Sequence, residues 1–393
     1  MVTKTLPRWI YSSLGNILLN RRYPKISDQS KYLILHAFSR RNSGDGLLVD
    51  LTLEAMADAG IGGAEIEILA LDPDSFDDDP PVHRAPGEPF AQFTPKLAGA
   101  VFELLANQLG SGQVAKRVAN AKGLVAVGGG YLVADSFVRQ AGVLLNHLAQ
   151  LRTAARAPIP SIYLPQSVGP LHGPVGQSVK RNLNKVSLFC ARDDLTMAEI
   201  GGDNIIRCAD LAVLKLARTA DIVADRKLHA GAPIVVGRDL PHPGDYIERL
   251  KNLGQSLSKP LWAVQADVAG DRSDRAFYQR NGLSDDGTLA AMLADGTGGA
   301  VVSVRLHGAI ASLIAGRPAI HLAYERKGWG AYEDLGLGEY VHDAREFDVA
   351  LVADQMAQLG QDPTAFWDCI TNAAPKLRAQ YVGLVDELRR YLL

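Results

Sequence analysis

From Lys31 onward, short apolar runs alternate with amphipathic stretches. Tyr32-Leu33-Ile34-Leu35-His36 reads as a buried strand, and after a polar loop residues 46–58 read as a helix. The rhythm continues with a strand at Ala64–Leu69, a helix over 96–120, a strand at Gly123–Val127 and a helix over 136–155. A strand at Ser161–Leu164, a helix to about 185 and a strand at Leu188–Ala191 follow, and the last unit closes at Cys208–Leu211. Asp72–Pro89, rich in Asp and Pro, is expected as an exposed loop. After a polar stretch over 218–231 the pattern resumes with strands at Pro233–Gly237, Leu261–Val264, Ala300–Ser303 and Ala319–Leu322, and it ends in helices over 347–357 and 363–392.

Alternating strands and helices imply parallel sheets covered on both faces. The expected fold class is α/β, with two Rossmann-like doubly wound domains at residues 31–217 and 232–393, the final helices being free to pack back on the first. Residues 1–30 stand apart. Within 7–25, an apolar stripe of Trp9, Ile10, Leu14, Ile17 and Leu18 is flanked by Arg8, Arg21, Arg22 and Lys25. Two placements of such a helix stay open: packed on the first domain, or resting on a membrane surface as a peripheral contact.

The length of 393 residues agrees with two domains, and 47% hydrophobic with 21% charged residues is a globular composition. A net charge of −2 gives no global field for nucleic acid, so no nucleic-acid partner is expected. Any anionic ligand must instead meet a local cluster of cations. Cys190, Cys208 and Cys369 are too scattered for a disulfide framework or a zinc motif, which points to a reducing compartment. No run of about 18 apolar residues suggests a membrane span. Ser12, Ser13, Gly15 and Asn16 break the N-terminal apolar run, so no signal peptide is read there. A cytoplasmic chain is expected, at most peripheral at the inner membrane face. No His/Asp/Glu set has metal-ligand spacing.

In doubly wound sheets ligands sit beyond the C-terminal ends of the strands, so residues placed there are the candidates. The first strand is followed by Asn42-Ser43-Gly44-Asp45-Gly46, where glycines permit a tight turn and helix-start amides can face an anion or a sugar hydroxyl. Gly128-Gly129-Gly130 ends a strand without the spacing of a dinucleotide fingerprint or a phosphate-binding Lys-Ser/Thr. Gln166, with both donor and acceptor atoms, precedes Gly169-Pro170, and Arg192 directly follows a strand, where a cation suits phosphate or carboxylate. The densest cluster is Ser303-Val304-Arg305-Leu306-His307-Gly308. Arg305 and His307, two apart at a strand end, are expected to point the same way, with Lys327 one strand later.

Taken together, Asn42-x-Gly44-Asp45, Gly128-Gly129-Gly130, Gln166 with Gly169-Pro170, Ala191-Arg192-Asp193, Asp210, Arg305-Leu306-His307-Gly308, Gly316-x-Pro318 and Tyr324-x-x-Lys327 resemble the polysaccharide pyruvyl transferase family. Thr196 stands where that family's pattern suggests Ser. The resemblance implies a GT-B-like arrangement of the two domains, acceptor on the first and donor on the second. The donor would be phosphoenolpyruvate, as co-substrate rather than cofactor. Its enolpyruvyl group would pass to two hydroxyls of a sugar or lipid-linked oligosaccharide, forming a pyruvate ketal in exopolysaccharide biosynthesis. Arg192, Arg305 and Lys327 would bind the donor and His307 would act as acid. Asn42, Gly44, Asp45, Gly129, Gly130 and Gln166 would form the acceptor and backbone loops. The competing enzyme reading is a GT-B nucleotide-sugar glycosyltransferase, suggested by His307-Gly308 before an apolar helix and by Glu325 and Glu333. A further alternative is a sugar-binding or scaffold protein without catalysis.

Overall fold

A computed structural model describes residues 31–77, 80–86, 105–106, 112–224, 231–267 and 273–393, without the side chains of residues 222–224, 326 and 327. The candidate helix at 7–25 and most of the one at 96–120 lie outside the described residues. The first half runs β1 (Lys31–Ala37), α1 (Ser43–Asp58), β2 (Ile66–Ala70), β3 (Val82–Arg84), α2 (Gln113–Val118), β4 (Ala121–Ala126), β5 (Gly129–Ala134), α3 (Phe137–Asn146), α4 (Leu148–Ala154), β6 (Ser161–Leu171), α5 (Gly173–Leu183), β7 (Leu188–Ala191), α6 (Asp194–Ile200) and β8 (Ile205–Arg207). After α7 (Leu211–Ala224) come β9 (Ile234–Val236), α8 (Tyr246–Ser256), β10 (Leu261–Trp262), α9 (Asp274–Asn281), α10 (Leu289–Ala294), β11 (Val301–Ser303), α11 (Leu306–Ile314), β12 (Ala319–Ala323), α12 (Arg326–Asp334), β13 (Val341–Asp343), α13 (Val349–Gln361) and α14 (Thr364–Leu392).

The strands form two parallel sheets, ordered β3-β2-β1-β4-β6-β7-β8 with β5 paired to β6, and β10-β9-β11-β12-β13. Successive side chains of a strand face opposite sides, and β1 shows the consequence. Tyr32 and Ile34 enter a core shared with α1 and α7, while Leu33 and Leu35 enter one shared with α2, α3 and α4. The first of these cores continues through Leu214 into Ile234, Val302 and Ile320 of the second sheet. Apolar packing therefore joins the two halves behind the strand ends.

α14 carries a buried stripe from Phe366 and Ile370 through Leu377, Tyr381 and Leu384 to Leu388, at helical spacing. It packs along α7. Its last turn reaches the first sheet, where Tyr32 Oη donates to the Leu392 carbonyl at 2.7 Å.

Several elements differ from the sequence expectation. The glycine run does not lead straight to a helix: Gly129 opens β5, which pairs with an extension of β6 from Gln166 to Leu171. Isolated glycine signals suggest a turn, whereas a strand-to-strand bend needs the same freedom. A Cβ on Gly128 would lie 2.6 Å from the Pro165 carbonyl oxygen. Residues 136–155 form two helices because His147 leaves helical geometry (φ −126°). Its ring stacks on Tyr131, with centroids 4.5 Å apart. The Asp- and Pro-rich loop contains the edge strand β3. The polar stretch from 218 begins inside α7, whose apolar face is covered by α14. Among the described residues no helix is long and apolar enough to cross a membrane.

Candidate active site

Arg192 follows β7 at once and is only 4% exposed. Its Nε donates to Ser167 Oγ at 2.8 Å and its Nη1 to Asp210 Oδ2, while its buried Nη2 has no hydrogen-bond partner among the described residues. Ser167 in turn donates to Asp193, whose other oxygen caps α6 through the Thr196 amide at 2.7 Å. Thr196 Oγ1 also accepts the Val168 amide at 3.0 Å, so the hydroxyl at this position fastens the β6 extension.

Asp210 precedes α7 and is 1% exposed. It accepts the Ala212 amide at 2.9 Å and lies 3.5 Å from His307 Nε2, across the boundary between the two sheets. Burial alone would raise its carboxyl. Arg192 first, and then His307, outweigh that and hold it well below the usual carboxylate range.

Arg305 and His307 do not sit on a strand. β11 stops at Ser303, Arg305 is the N-cap of α11, and His307 lies in the first helical turn. They share one cleft because the turn, locked by Ser303 Oγ on the Arg305 amide (3.2 Å) and carbonyl (2.9 Å), presents both. Arg305 grips the buried Asp274 through Nε (2.9 and 3.1 Å) and Nη2. Burial would weaken the Arg305 charge, but Asp274 outweighs this and keeps it firmly protonated. Asp274 itself accepts the Gln265 and Ala266 amides at 3.1 and 2.8 Å.

The cleft holds about 190 Å³. Asn42, Asp45, Gly129, Gly130 and Tyr131 line it from the first sheet, and Arg238, Gln265, Tyr324 and Glu325 from the second, with Arg192, Arg305 and His307 among them. Asn42 Oδ1 caps α1 on the Gly44 amide at 3.2 Å, and its Nδ2 donates to Asp45 at 2.8 Å. Gly44 has a role different from ligand approach. A Cβ there would stand 2.9 Å from His307 Cβ, so the missing side chain lets α1 close onto α11. The same loop bridges Asn42 to Ala266 as an isolated antiparallel pair.

Gln166 does not reach the cleft. It is fully buried, because the β6 extension turns it toward β4 and β5, where Nε2 donates to Tyr131 Oη (2.7 Å) and the Val127 carbonyl (3.1 Å). It therefore fixes Tyr131 and the glycine bend rather than a sugar. The side chain of Lys327 lies outside the described residues, though its backbone is in the first turn of α12. Arg238 was missed by sequence reasoning. It donates to Tyr324 Oη at 2.7 Å in the cleft wall. Its signal was the one that marked Arg192: an arginine just past a buried strand, here separated by Gly237.

Three arginines from two sheets, a histidine paired to a buried carboxylate, and the start of α11 converge on one small cleft. Helix starts carry unpaired amides and partial positive charge, so the arrangement favours an anion. Beyond Asp45, Gly130, Tyr131, Tyr324 and Glu325, a second hollow of about 430 Å³ continues along Phe38, Val138, Val143, Asn146 and His147. Among the described residues no three His, Cys, Asp or Glu side chains gather as metal ligands.

Among solved structures, the chain is similar to LpCGTa in complex with UDP (TM-score 0.52, 14% identity, covering 93% of this chain and all of that one). It is also similar to S. aureus MnaA with UDP (TM-score 0.50, 10% identity, covering 92% and 98%). A glycotransferase of kitacinnamycin gives a TM-score of 0.50 at 11% identity, covering 93% and 100%. At such identities these likenesses establish the fold, two Rossmann-like domains in a GT-B arrangement. No curated relative matches the chain in sequence. The profile of the polysaccharide pyruvyl transferase family matches residues 42–286, more than half of the chain, and this stretch carries the Asn42–Asp45 loop, the glycine bend, Arg192 and Asp210. The chain belongs to the polysaccharide pyruvyl transferase family.

Proposed function

We propose that the protein transfers the enolpyruvyl group of phosphoenolpyruvate to two hydroxyls of one sugar, producing a pyruvate ketal for a surface polysaccharide. The observation that carries this is the convergence of Arg192 and Arg305, from opposite sheets, with His307 in one small cleft. Phosphoenolpyruvate places a phosphate and a carboxylate on three carbons, so its site needs several fixed cations close together. Arg192 Nη2, buried and without a partner among the described residues, is a donor suited to one of these groups.

The chemistry requires a proton at C3 before C2 can be attacked. His307 supplies it. Its Nε2 lies 3.5 Å from the Asp210 carboxylate. One sugar hydroxyl bonds to C2, the C2–O bond to phosphate breaks, and the second hydroxyl closes the ketal. The arginines and the α11 start stabilise the departing phosphate. Lys327 is assigned to the same donor site by family resemblance.

Incubation with phosphoenolpyruvate and candidate sugars tests the proposal. Mass spectrometry is expected to show the sugar gaining one pyruvate less one water, with one phosphate released per ketal. Thermal stabilisation by UDP but not by phosphoenolpyruvate would favour the nucleotide-sugar reading instead.

A further inference from the structure

Gln265 carries a carboxamide whose buried oxygen has no hydrogen-bond partner among the described residues. The residue follows β10 in the second half, lines the cleft and is 7% exposed. Its backbone is held from both halves: the amide donates to Asp274 Oδ2 at 3.1 Å, and the carbonyl accepts the Ser43 hydroxyl at 3.2 Å. The side chain fills a niche left by two glycines at helix starts. A Cβ on Gly308, in the first turn of α11, would collide with Gln265 Oε1. A Cβ on Gly44, in the first turn of α1, would stand 3.1 Å from Gln265 Nε2 and 3.2 Å from His307 Nδ1. Backbones from opposite halves thus leave room around one amide.

A buried carbonyl oxygen without a donor costs stability, so its place in a cleft points to a ligand that supplies one. Ionised phosphate and carboxylate accept hydrogen bonds and offer none, so the anionic donor satisfies the arginines but not this oxygen. The acceptor sugar is the reactant whose hydroxyls bring a hydrogen to share. The terminal torsion of a Gln side chain is soft, and turning it exchanges the two ends of the amide. The oxygen then comes to the side of Gly44 and His307. The nitrogen enters the Gly308 niche, which Ser303 Oγ, an acceptor, also borders at 2.9 Å from the same point.

We propose that Gln265 is a binding residue for the acceptor. Its amide oxygen takes a hydrogen bond from the attacking sugar hydroxyl and holds that hydroxyl beside His307, with the hydroxyl lone pairs free for C2. The inference rests on the phosphoenolpyruvate reading and adds to it the group that orients the nucleophile. Gln265 stays neutral and takes no proton. Gly308 acquires a reason as well: a side chain there would take the place of the amide.

The test uses the full chain, phosphoenolpyruvate, and methyl glycosides of glucose, galactose and mannose as probes. If the unaltered protein neither binds phosphoenolpyruvate nor releases phosphate with these sugars, the underlying reading falls irrespective of Gln265. Gln265→Met keeps the length of the side chain and removes both hydrogen-bonding atoms. A group that serves only the ligand leaves the free protein no less stable when it is replaced, so Tm is expected to hold or rise. With active protein, kcat/KM for the sugar is expected to fall about tenfold or more, with phosphoenolpyruvate affinity within about threefold. A Tm lower by more than about 3 °C would show that the amide braces the free fold, and would overturn the proposal without any sugar being needed. Two kinetic outcomes would overturn it too: kcat/KM within about twofold of the unaltered protein, or a loss matched in phosphoenolpyruvate affinity, which would put Gln265 in the donor site. Should Gln265→Met not fold, Gln265→Leu is measured against the same outcomes.

Discussion

The two halves of the cleft solve one problem in nearly the same way. In each, an arginine follows a buried strand and binds a buried carboxylate that backbone amides also hold: Arg192 with Asp210, Arg305 with Asp274. The difference lies in where the carboxylate looks. Among the described residues Asp274 serves its own half, through the Gln265 and Ala266 amides, whereas Asp210 reaches 3.5 Å across to His307. One pair is thus a local brace and the other a joint between sheets. The joint also sets His307, in the first turn of α11, opposite Asp210 at the start of α7.

The largest effect is expected from breaking the joint. Arg192→Ala strands the Asp210 charge in the interior and should cost about 3–5 kcal/mol in urea unfolding. Arg305→Ala should cost less, about 2–3 kcal/mol, because Asp274 keeps two amide donors. Equal losses would erase the distinction between joint and brace. The catalytic side of the comparison is sharpened by His307→Ala, which should slow turnover by about 100-fold or more while phosphoenolpyruvate still binds. Near-normal turnover would remove His307 from the acid role.

Gly44→Ala tests the joint without touching a charge. The new methyl group meets His307 Cβ, and the overpacking should cost about 1–3 kcal/mol and disturb turnover more than donor affinity. A neutral outcome would mean that α1 does not press on His307. The smallest effect is the one read from pH. The Asp210 carboxyl is held below its ordinary value in the folded chain. Its contribution to stability is therefore complete above about pH 4 and is lost as pH falls further. Asp210→Asn should flatten that acid slope in urea titrations, although the variant is less stable throughout.

Much of this was legible in the sequence because it was repeated. The strand-then-arginine pattern marked Arg192 and Arg305, and alternating apolar runs marked both sheets. What escaped depended on partners far along the chain. β5 looks like the tail of a glycine turn until β6 is present to pair with it. Gln166 looks like a sugar ligand until the pleat of the extended strand is known to turn it inward. Asp210 could be placed in a motif, but its bridging role depends on a histidine nearly a hundred residues away. Arg238 carried the right signal in a weaker form, one glycine beyond its strand.

The return of α14 has a mechanical meaning. The chain passes from the first sheet to the second after α7, and comes back along α14, whose start packs Phe366 on Tyr340 and whose end lies beside β1, where Leu392 receives the Tyr32 hydroxyl. A single tether between two bodies is a ball joint, free to swivel about three axes. Two tethers are a hinge, whose axis runs through both crossings. Two crossings leave the halves at most a swing about one axis, and the returning helix resists twisting, which holds Asp210 opposite His307 in one register.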